Sequence, residues 1–232
     1  MTYRNIRLDA RLSAVAEQVR SGVTLYDVGT DHAYLPVFLM QQGRISRAIA
    51  SDVAEGPLAS AKETVREAGL ADRIETVLSD GLRSVTLLPP CDVTIAGMGG
   101  DLITRILSDQ PAVRQEDVRL ILQPMTKQEH LRRYLSENGF LIDTELTAEE
   151  GKLYEILVCR YTGTPYVLTE AELLIGRREA RREDGLFYRM VEKKRQALAR
   201  AMEGKRRGGE PTLAEEALIA ALDKILTQGE RS

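Results

Sequence analysis

The stretch Val23-Thr24-Leu25-Tyr26-Asp27-Val28-Gly29-Thr30-Asp31 decides the fold. Its first six residues form an apolar, β-branched run that is typical of a buried strand, and Gly29 ends that run. A helical pattern from about His32 to Gln42 follows. A strand that passes through a glycine turn into a helix predicts the first β-α unit of a parallel sheet.

The same unit recurs along the next hundred residues. Each later strand-like run ends in a turn and is followed by a helical pattern, with Pro57 suited to the first turn of one helix. Thr126 and Glu129 have capping-box spacing and predict a helix that reaches Asn138. An amphipathic helix precedes the first strand, with its apolar residues between Leu8 and Val19. The further strands are predicted at residues 47–52, 74–78, 92–96 and 119–123.

The alternation of strand and helix stops after residue 138. Two strand-like runs, Phe140 to Leu146 and Tyr154 to Tyr161, have no helix between them and predict an antiparallel hairpin at one edge of the sheet. This predicts an α/β fold with a Rossmann-like sheet, whose antiparallel edge is typical of class I methyltransferases rather than dehydrogenases. We expect this domain to occupy residues 1–163, ending near Gly163-Thr164-Pro165.

Residues 164–232 are predicted to form a helical hairpin, coiled-coil-like, after the sheet domain. Thr169 and Glu172 have capping-box spacing, Gly208 to Pro211 breaks the pattern, and Thr212 with Glu215 can cap the second helix. Residues 177–207 hold twelve Lys and Arg against five Asp and Glu, a charge of +7, which leaves −10 for the rest of a chain of net charge −3. Such a segment favours a polyanionic partner, although a solvated helical face is an equal alternative from charge alone.

Composition excludes several classes of protein. No apolar run approaches the ~20 residues that span a bilayer, and residues 1–6 lack the apolar core of a signal peptide. Two cysteines, Cys91 and Cys159, are too few for a disulfide framework or a zinc site, and two histidines exclude a histidine-rich metal site. We therefore expect a cytoplasmic protein with no metal and no membrane partner.

The loop after the first strand predicts which cofactor binds. In open α/β sheets, ligands bind beyond the carboxyl ends of the strands. Compared with a glycine-rich dinucleotide loop, Gly29 takes the first glycine position, Asp31 the second and Ala33 the third. A carboxylate at the second position would repel a pyrophosphate, whereas Asp27 and Asp31 suit the ammonium and sulfonium of S-adenosylmethionine. The alternative for Asp31 is that it only N-caps the next helix.

The other strand ends carry further candidates. Asp52 is placed to accept hydrogen bonds from ribose hydroxyls, and Asp80 to accept from the adenine amine, unless Asp80 and Gly81 only form a turn. The glycines of the run 97–100 allow close approach of a ligand. Met98 is interpreted as lining the acceptor pocket or covering the core, and Tyr34 as stacking on a base or packing internally.

Five blocks of the sequence form a wider pattern: Asp27 to Pro36, Glu55 to Leu58, Ile95 to Gly100, Leu120 to Pro124 and Gly151 to Glu155. Together they resemble the bacterial tRNA (adenine(22)-N1)-methyltransferases of the TrmK type, over nearly the whole chain. The resemblance implies methyl transfer to N1 of an adenine of tRNA. It also implies cofactor contacts by Asp27, Gly29, Asp52, Asp80 and Gly81, and an active centre at Asp31 and the 97–100 loop.

Within that loop, we expect Gly97, Met98 and Gly99 to contact the cofactor. Gly100 and Tyr34 are expected to contact the substrate.

One position departs from the family pattern. Some members have Asn after Gln-Pro, where this chain has Met125, so an amide that would bind the target base is missing. Asp31, Gln123 and Met98 are therefore the catalytic candidates, with Asp31 stabilising the positive charge that N1 methylation creates on adenine. The basic residues expected to bind tRNA are Arg177, Arg178, Arg181, Arg182, Lys193, Lys194 and Arg195.

Two other functions fit the same residues. The chain would be a small-molecule methyltransferase if the helical tail served dimerisation. It would be a silent binding module if the hairpin only recruited a partner. We expect a monomer or a weak dimer.

Overall fold

The computed structural model describes residues 5–229 and has one seven-stranded sheet at its centre, in the order β3-β2-β1-β4-β5-β7-β6. The strands are β1 (Thr24–Val28), β2 (Arg47–Asp52), β3 (Ile74–Leu78), β4 (Cys91–Met98), β5 (Val118–Pro124), β6 (Phe140–Glu150) and β7 (Lys152–Tyr161). The helices are α1 (Ala10–Gln18), α2 (Tyr34–Gln41), α3 (Glu55–Glu67), α4 (Gly100–Ser108), α5 (Gln128–Glu137), α6 (Glu170–Ile175), α7 (Gly185–Arg207) and α8 (Leu213–Gly229).

The sheet has the predicted mixture of directions. β1 pairs in parallel with β2 and β4, and the chain order reverses on either side of β1. β7 pairs antiparallel with both β5 and β6, which confirms the edge hairpin. Both hairpin strands are longer than predicted and meet at Gly151, whose positive φ of 65° suits a tight turn.

The core lies on both faces of the sheet because side chains alternate along each strand. Leu25 packs among residues of α1, α2 and α3, whereas its neighbour Tyr26 packs among residues of α4 and α5. Covering both faces with helices buries the parallel strands and leaves their carboxyl ends as the accessible edge.

The capping alternative for Asp31 and the capping prediction for Thr126 were wrong. Asp31 does not N-cap α2, because both Asp31 and Ala33 adopt left-handed φ angles of 54° and the helix begins only at Tyr34. Thr126 does not cap α5, which starts one residue later behind a left-handed Lys127 and has no side-chain cap. In both loops a left-handed turn redirects the chain before the helix begins.

The helical segment begins as predicted and is then interrupted. Thr169 and Glu172 form a reciprocal capping box, but α6 ends at Gly176, where a Cβ would lie 2.9 Å from the carboxylate of Glu145. The long pattern therefore forms two helices, and Asp184 caps the second, α7. Pairing of Arg195 with Asp223 and of Lys205 with Glu215 sets α7 and α8 antiparallel, as predicted. Glu215 thus pairs with Lys205, and Thr212 donates to Glu216 instead.

A buried ion cluster of Arg132, Glu145, Glu155 and Lys194 joins the helical segment to the sheet. Arg132 donates to Glu145 and Glu155 at 2.6 Å, and Lys194 of α7 donates to Glu155. Arg132 also donates to the carbonyl oxygen of Leu173 at the end of α6. Residues after 163 are thereby tied to α5, β6 and β7, while the boundary at 163 stays a prediction.

Within residues 5–229, no helix is long and apolar enough to cross a membrane. The same residues contain no cluster of three or more His, Cys, Asp or Glu side chains arranged to hold a metal ion.

Candidate functional site

A cavity of about 240 Å³ lies at the carboxyl ends of β1 and β4, where the strand order reverses. This is the edge at which doubly wound sheets bind ligands. Its lining comprises Arg11, Leu12, Asp27, Gly29, Thr30, Asp31, His32, Tyr34, Leu35, Ala96 and Gly97. The cavity therefore brings together the predicted loop, the start of the 97–100 run and one end of α1.

Asp27 forms the buried floor of this site. Its carboxylate is 6% exposed and accepts hydrogen bonds from the hydroxyls of Thr30, at 2.7 Å, and Thr94, at 2.6 Å. Burial raises the pKa of Asp27, since the two hydroxyl bonds offset only part of the cost of desolvation. A cation bound in the cavity would stabilise the ionised carboxylate.

Four backbone amides of the loop already donate hydrogen bonds within the protein. Gly29 and Thr30 both donate to the carbonyl oxygen of Ser51, and Asp31 donates to the carboxylate of Asp52. Ala33 donates to the carbonyl oxygen of Thr30. Phosphate-binding loops instead point their amides at the ligand. This loop is therefore built for a ligand without phosphate groups.

Asp52 is held in place at the end of β2. Its carboxylate accepts from the amide of Asp31 at 3.2 Å and from the amide of Ala54 at 3.0 Å. The next residue, Val53, is 68% exposed, and Leu78 at the end of β3 is also exposed. Sequence reasoning missed Val53 and Leu78 as candidate site residues. The signal that could have found them is that both are aliphatic residues at the ends of predicted strands rather than inside them.

Asp80 and Gly81 follow β3 at the same edge of the sheet. The carboxylate of Asp80 pairs with Arg83 and Arg105, each at 2.9 Å. Gly81 has a positive φ of 62° and lies against Ile106, where a Cβ would be 3.0 Å from its side chain. The turn alternative thus accounts for Gly81, and Asp80 also carries ion pairs that the sequence did not predict.

The 97–100 loop packs closely against two neighbouring loops. Met98 lies over Gly29, where a Cβ would be 2.1 Å from its terminal methyl. Gly100 is buried beneath Lys127, whose carbonyl oxygen would be 2.2 Å from a Cβ at that position. Met98 therefore contacts both the cofactor loop and the core, and the missing side chain of Gly100 is required by packing.

Gln123 is fully buried at the end of β5. Its side-chain oxygen accepts from the amide of Gly97, at 3.1 Å, and from the guanidinium of Arg11, at 2.8 Å. Its nitrogen donates to the carbonyl oxygen of Pro124 and, at 3.6 Å, to the sulfur of Met125. Gln123 thus holds the loop and Arg11 in place. Sequence reasoning missed Arg11, which lies among ordinary amphipathic-helix residues.

Asp31, His32 and Tyr34 form the rim of the cavity. The side chain of Asp31 is 69% exposed, and one of its oxygens lies 3.7 Å from the imidazole of His32. The rings of His32 and Tyr34 stack with their centroids 5.1 Å apart. The rim of the cavity therefore carries an exposed carboxylate beside a stacked aromatic pair.

The seven basic residues of the helical segment divide into two groups. Arg178, Arg182 and Lys193 are exposed. The other four contact side chains elsewhere in the chain: Arg181 is 6% exposed and lies over the ring of Phe187. Arg177 lies over the ring of Tyr166, Lys194 pairs with Glu155, and Arg195 pairs with Asp223.

Comparison with protein families identifies the lineage of the chain. Residues 25–221 match the model of the TrmK family, tRNA (adenine(22)-N(1))-methyltransferase. The chain belongs to this family. The match spans the sheet from Leu25 onwards, the cavity lining apart from Arg11 and Leu12, α7 and the first half of α8.

Relatives and solved structures agree with this assignment. The tRNA (adenine(22)-N(1))-methyltransferase of Bacillus subtilis is 35% identical over 189 residues, which cover 79% of each chain. The crystal structure of the B. subtilis m1A22 tRNA methyltransferase TrmK matches with a TM-score of 0.77 and 30% identity, over 98% of this chain and 99% of that one. A putative tRNA (m1A22) methyltransferase of Streptococcus pneumoniae, solved in complex with S-adenosyl-L-methionine, matches with a TM-score of 0.81 and 35% identity, over 95% of this chain and all of the other.

Proposed function

We infer that this chain transfers the methyl group of S-adenosylmethionine to N1 of adenine 22 of tRNA. The observation that carries this conclusion is the match to the family over residues 25–221, which includes all residues that line the cavity except Arg11 and Leu12. The acidic lining and the internally bonded loop amides fit a cationic cofactor without phosphates.

We propose that the cofactor lies along the carboxyl ends of β1 and β2. Asp27 at the floor would attract the ammonium and sulfonium groups, and Asp52 would accept from the ribose hydroxyls. Val53 and Leu78 offer an apolar surface for the adenine ring, with Asp80 near its amine. The cofactor supplies the activated methyl group, so no covalent protein nucleophile is needed.

The chain's own contribution to the reaction is positioning and electrostatics. Holding N1 in line with the transferred methyl converts a bimolecular reaction into a unimolecular one. Methylation makes the adenine cationic, and the exposed carboxylate of Asp31 at the rim is placed to stabilise that charge. Met98 and Gly97 would border the reacting groups. Gln123 is proposed to act through the loop that it holds rather than by touching the base.

The tRNA would lie across the rim and the exposed basic side chains. Arg178, Arg182 and Lys193 are exposed and suited to phosphate contacts, whereas the side chains of Arg181 and Lys194 are mostly buried and held in ion pairs. Replacing the first three with Ala in the full chain is preferable to deleting the helical tail, because α6 and α7 also contribute to the buried ion cluster. We expect weaker tRNA binding with a shallower salt dependence, measured by titration at several salt concentrations.

The direct test of the activity is incubation with methyl-labelled S-adenosylmethionine and total bacterial tRNA. Labelled tRNA, with 1-methyladenosine found after digestion to nucleosides, is the expected result. If the chain binds the cofactor but no label enters tRNA, tRNA is excluded as the substrate. That result would favour the alternative of a silent binding module. Label in a small-molecule extract alone would favour a small-molecule methyltransferase.

A further inference from the structure

Arg11 is the permanent positive charge in an acidic cavity. Among the described residues that line this cavity, Asp27 and Asp31 carry negative charge, and Arg11 is the one whose side chain stays protonated at any physiological pH. Its side chain is 19% exposed, so it forms part of the wall rather than the outer surface. A cation kept in the wall of a binding site together with two carboxylates needs an explanation beyond solubility.

The guanidinium of Arg11 is fixed from behind. One nitrogen donates to the side-chain oxygen of Gln123 at 2.8 Å, and the group lies 5.7 Å from the ring centroid of Tyr154. Its ion pair with Asp9 is long, at 3.8 Å, beyond hydrogen-bond distance. Within residues 5–229, Gln123 is thus its one hydrogen-bonded partner, and an arginine has five N–H donors.

α1 is anchored so that Arg11 keeps this position. The side chain of Asp9 accepts from the amide of Leu12 and caps the helix, and the carboxylate of Glu150 accepts from the amide of Ala10 at 3.0 Å. The first turn of α1 is therefore tied to the edge hairpin. Because α1 is anchored and Gln123 holds the guanidinium, Arg11 loses little conformational entropy when it binds an anion.

The cofactor brings one anionic group that the acidic lining cannot bind. Its methionine portion carries a carboxylate beside the ammonium and sulfonium, and the aspartates would repel that carboxylate. The usual alternative receptor is a set of free backbone amides, but Gly29, Thr30 and Asp31 already donate theirs within the protein. Arg11 supplies the charge-assisted donors that this carboxylate requires.

We propose that Arg11 binds the carboxylate of the methionine portion of S-adenosylmethionine, with Gln123 as the residue that positions it. This inference rests on the proposed function, because it takes that cofactor as the ligand. It gives the buried amide of Gln123 a role in cofactor binding. It also predicts that the cavity discriminates between cofactor analogues that differ in a single carboxylate.

The test compares two ligands on the full chain by titration calorimetry: S-adenosylhomocysteine and its decarboxylated analogue. The substitution Arg11→Ala should weaken S-adenosylhomocysteine binding by about ten- to hundredfold and leave binding of the decarboxylated analogue within about twofold of wild type. Arg11→Lys should bind S-adenosylhomocysteine with an affinity between those of wild type and Arg11→Ala. Lysine keeps the positive charge but cannot donate the two parallel hydrogen bonds that a guanidinium donates to a carboxylate. Gln123→Ala should show the same ligand selectivity with a smaller effect.

The control is Arg7→Ala, which removes the same charge from an exposed position just before α1. It should bind both ligands as wild type does, which separates a direct contact from the overall change in charge. Equal weakening of both ligands by Arg11→Ala would mean that Arg11 only shapes the cavity, and unchanged binding of both would remove it from the site. Failure of the wild-type chain to bind S-adenosylhomocysteine would instead overturn the proposed function itself.

Discussion

Two buried carboxylates, Asp27 and Glu155, have opposite electrostatic surroundings. Asp27 lies at the cavity floor with only neutral hydroxyls as partners, and burial raises its pKa. Burial acts in the same direction on Glu155, but Lys194 and Arg132 outweigh it and lower the pKa of Glu155 to about 2. The first carboxylate keeps an uncompensated charge that a cationic ligand would stabilise, and the second is already neutralised by the protein.

This contrast distinguishes a ligand-binding site from a buried ion cluster that connects structural elements. The ion cluster of Arg132, Glu145, Glu155 and Lys194 links α5, the edge hairpin and α7, and its charges satisfy one another. At the cavity, Asp27 and Asp31 have Arg11 as the one Lys or Arg among the described lining residues, and its guanidinium donates to Gln123 rather than to either aspartate. An excess of one charge at a ligand-binding edge is therefore the better indicator of function than the burial of charge itself.

The largest effect is expected from breaking the cluster. Arg132→Met should lower the free energy of unfolding by about 3–5 kcal/mol, because Glu145 and Glu155 would remain buried without their shared partner. Urea unfolding measures this loss. Arg133→Ala is the control on the same helix, since Arg133 is exposed and its one ion pair within residues 5–229 is with exposed Glu170. Equal, small losses for both variants would show that the cluster does not stabilise the fold.

At the cavity rim, substitution should affect turnover rather than stability. Asp31→Asn is the appropriate change because Asn tolerates the left-handed φ of 54° and removes only the charge. We expect turnover with saturating cofactor and tRNA to fall by about a hundredfold, with unfolding free energy changed by less than about 0.5 kcal/mol. An unchanged turnover number would remove Asp31 from the chemistry.

The floor of the cavity should respond in ligand affinity. Asp27→Asn should weaken S-adenosylmethionine binding by about tenfold, through loss of the charge opposite the cofactor's cations. The unliganded variant should be as stable as wild type or more stable at neutral pH, because the buried charge of Asp27 opposes folding. Calorimetry and thermal unfolding test the two parts. A destabilised variant with unchanged affinity would assign Asp27 a structural role.

The two carboxylates should give opposite dependences of stability on pH. Because the pKa of Asp27 is raised in the folded protein, its contribution to stability is fully present below the ordinary pKa of 3.8. That contribution is lost as the pH rises through the pKa of the folded protein. Since the pKa of Glu155 is lowered from 4.5 to about 2, its contribution is present above 4.5 and is lost as the pH falls towards 2. Glu155→Gln should therefore flatten the acid limb of the stability profile, and Asp27→Asn should leave that limb in place. A steeper acid limb after Glu155→Gln would refute this assignment.

The sequence was sufficient to predict the sheet and the loops that surround the cavity. Strand patterning, Gly29 and the helix-free stretch after residue 138 are local signals, and the structure confirms the order of elements that they indicate. Asp27 and Asp52 were predictable in the same way, because they end strands whose carboxyl ends must meet at one edge.

Other features depend on contacts between distant residues. Arg11 and Gln123 are 112 positions apart, and an arginine in an amphipathic helix gives no local sign of which side it faces. Lys194 donates to Glu155, which lies 39 positions away in the sequence. The charge count predicts Lys194 on the basic surface, but this ion pair holds it against the sheet. The capping errors at Asp31 and Thr126 arise because left-handed turns at non-glycine residues leave no reliable trace in sequence.

The most direct test of the central claim uses two tRNA transcripts that differ only at position 22, with adenine or guanine there. Each is incubated with the full chain and methyl-labelled S-adenosylmethionine, and the product is located by mass spectrometry of nuclease fragments. We predict one methyl group per tRNA, on N1 of adenine 22, and no incorporation into the guanine transcript. Equal labelling of both transcripts, or none in either while the chain binds the cofactor, would contradict the account.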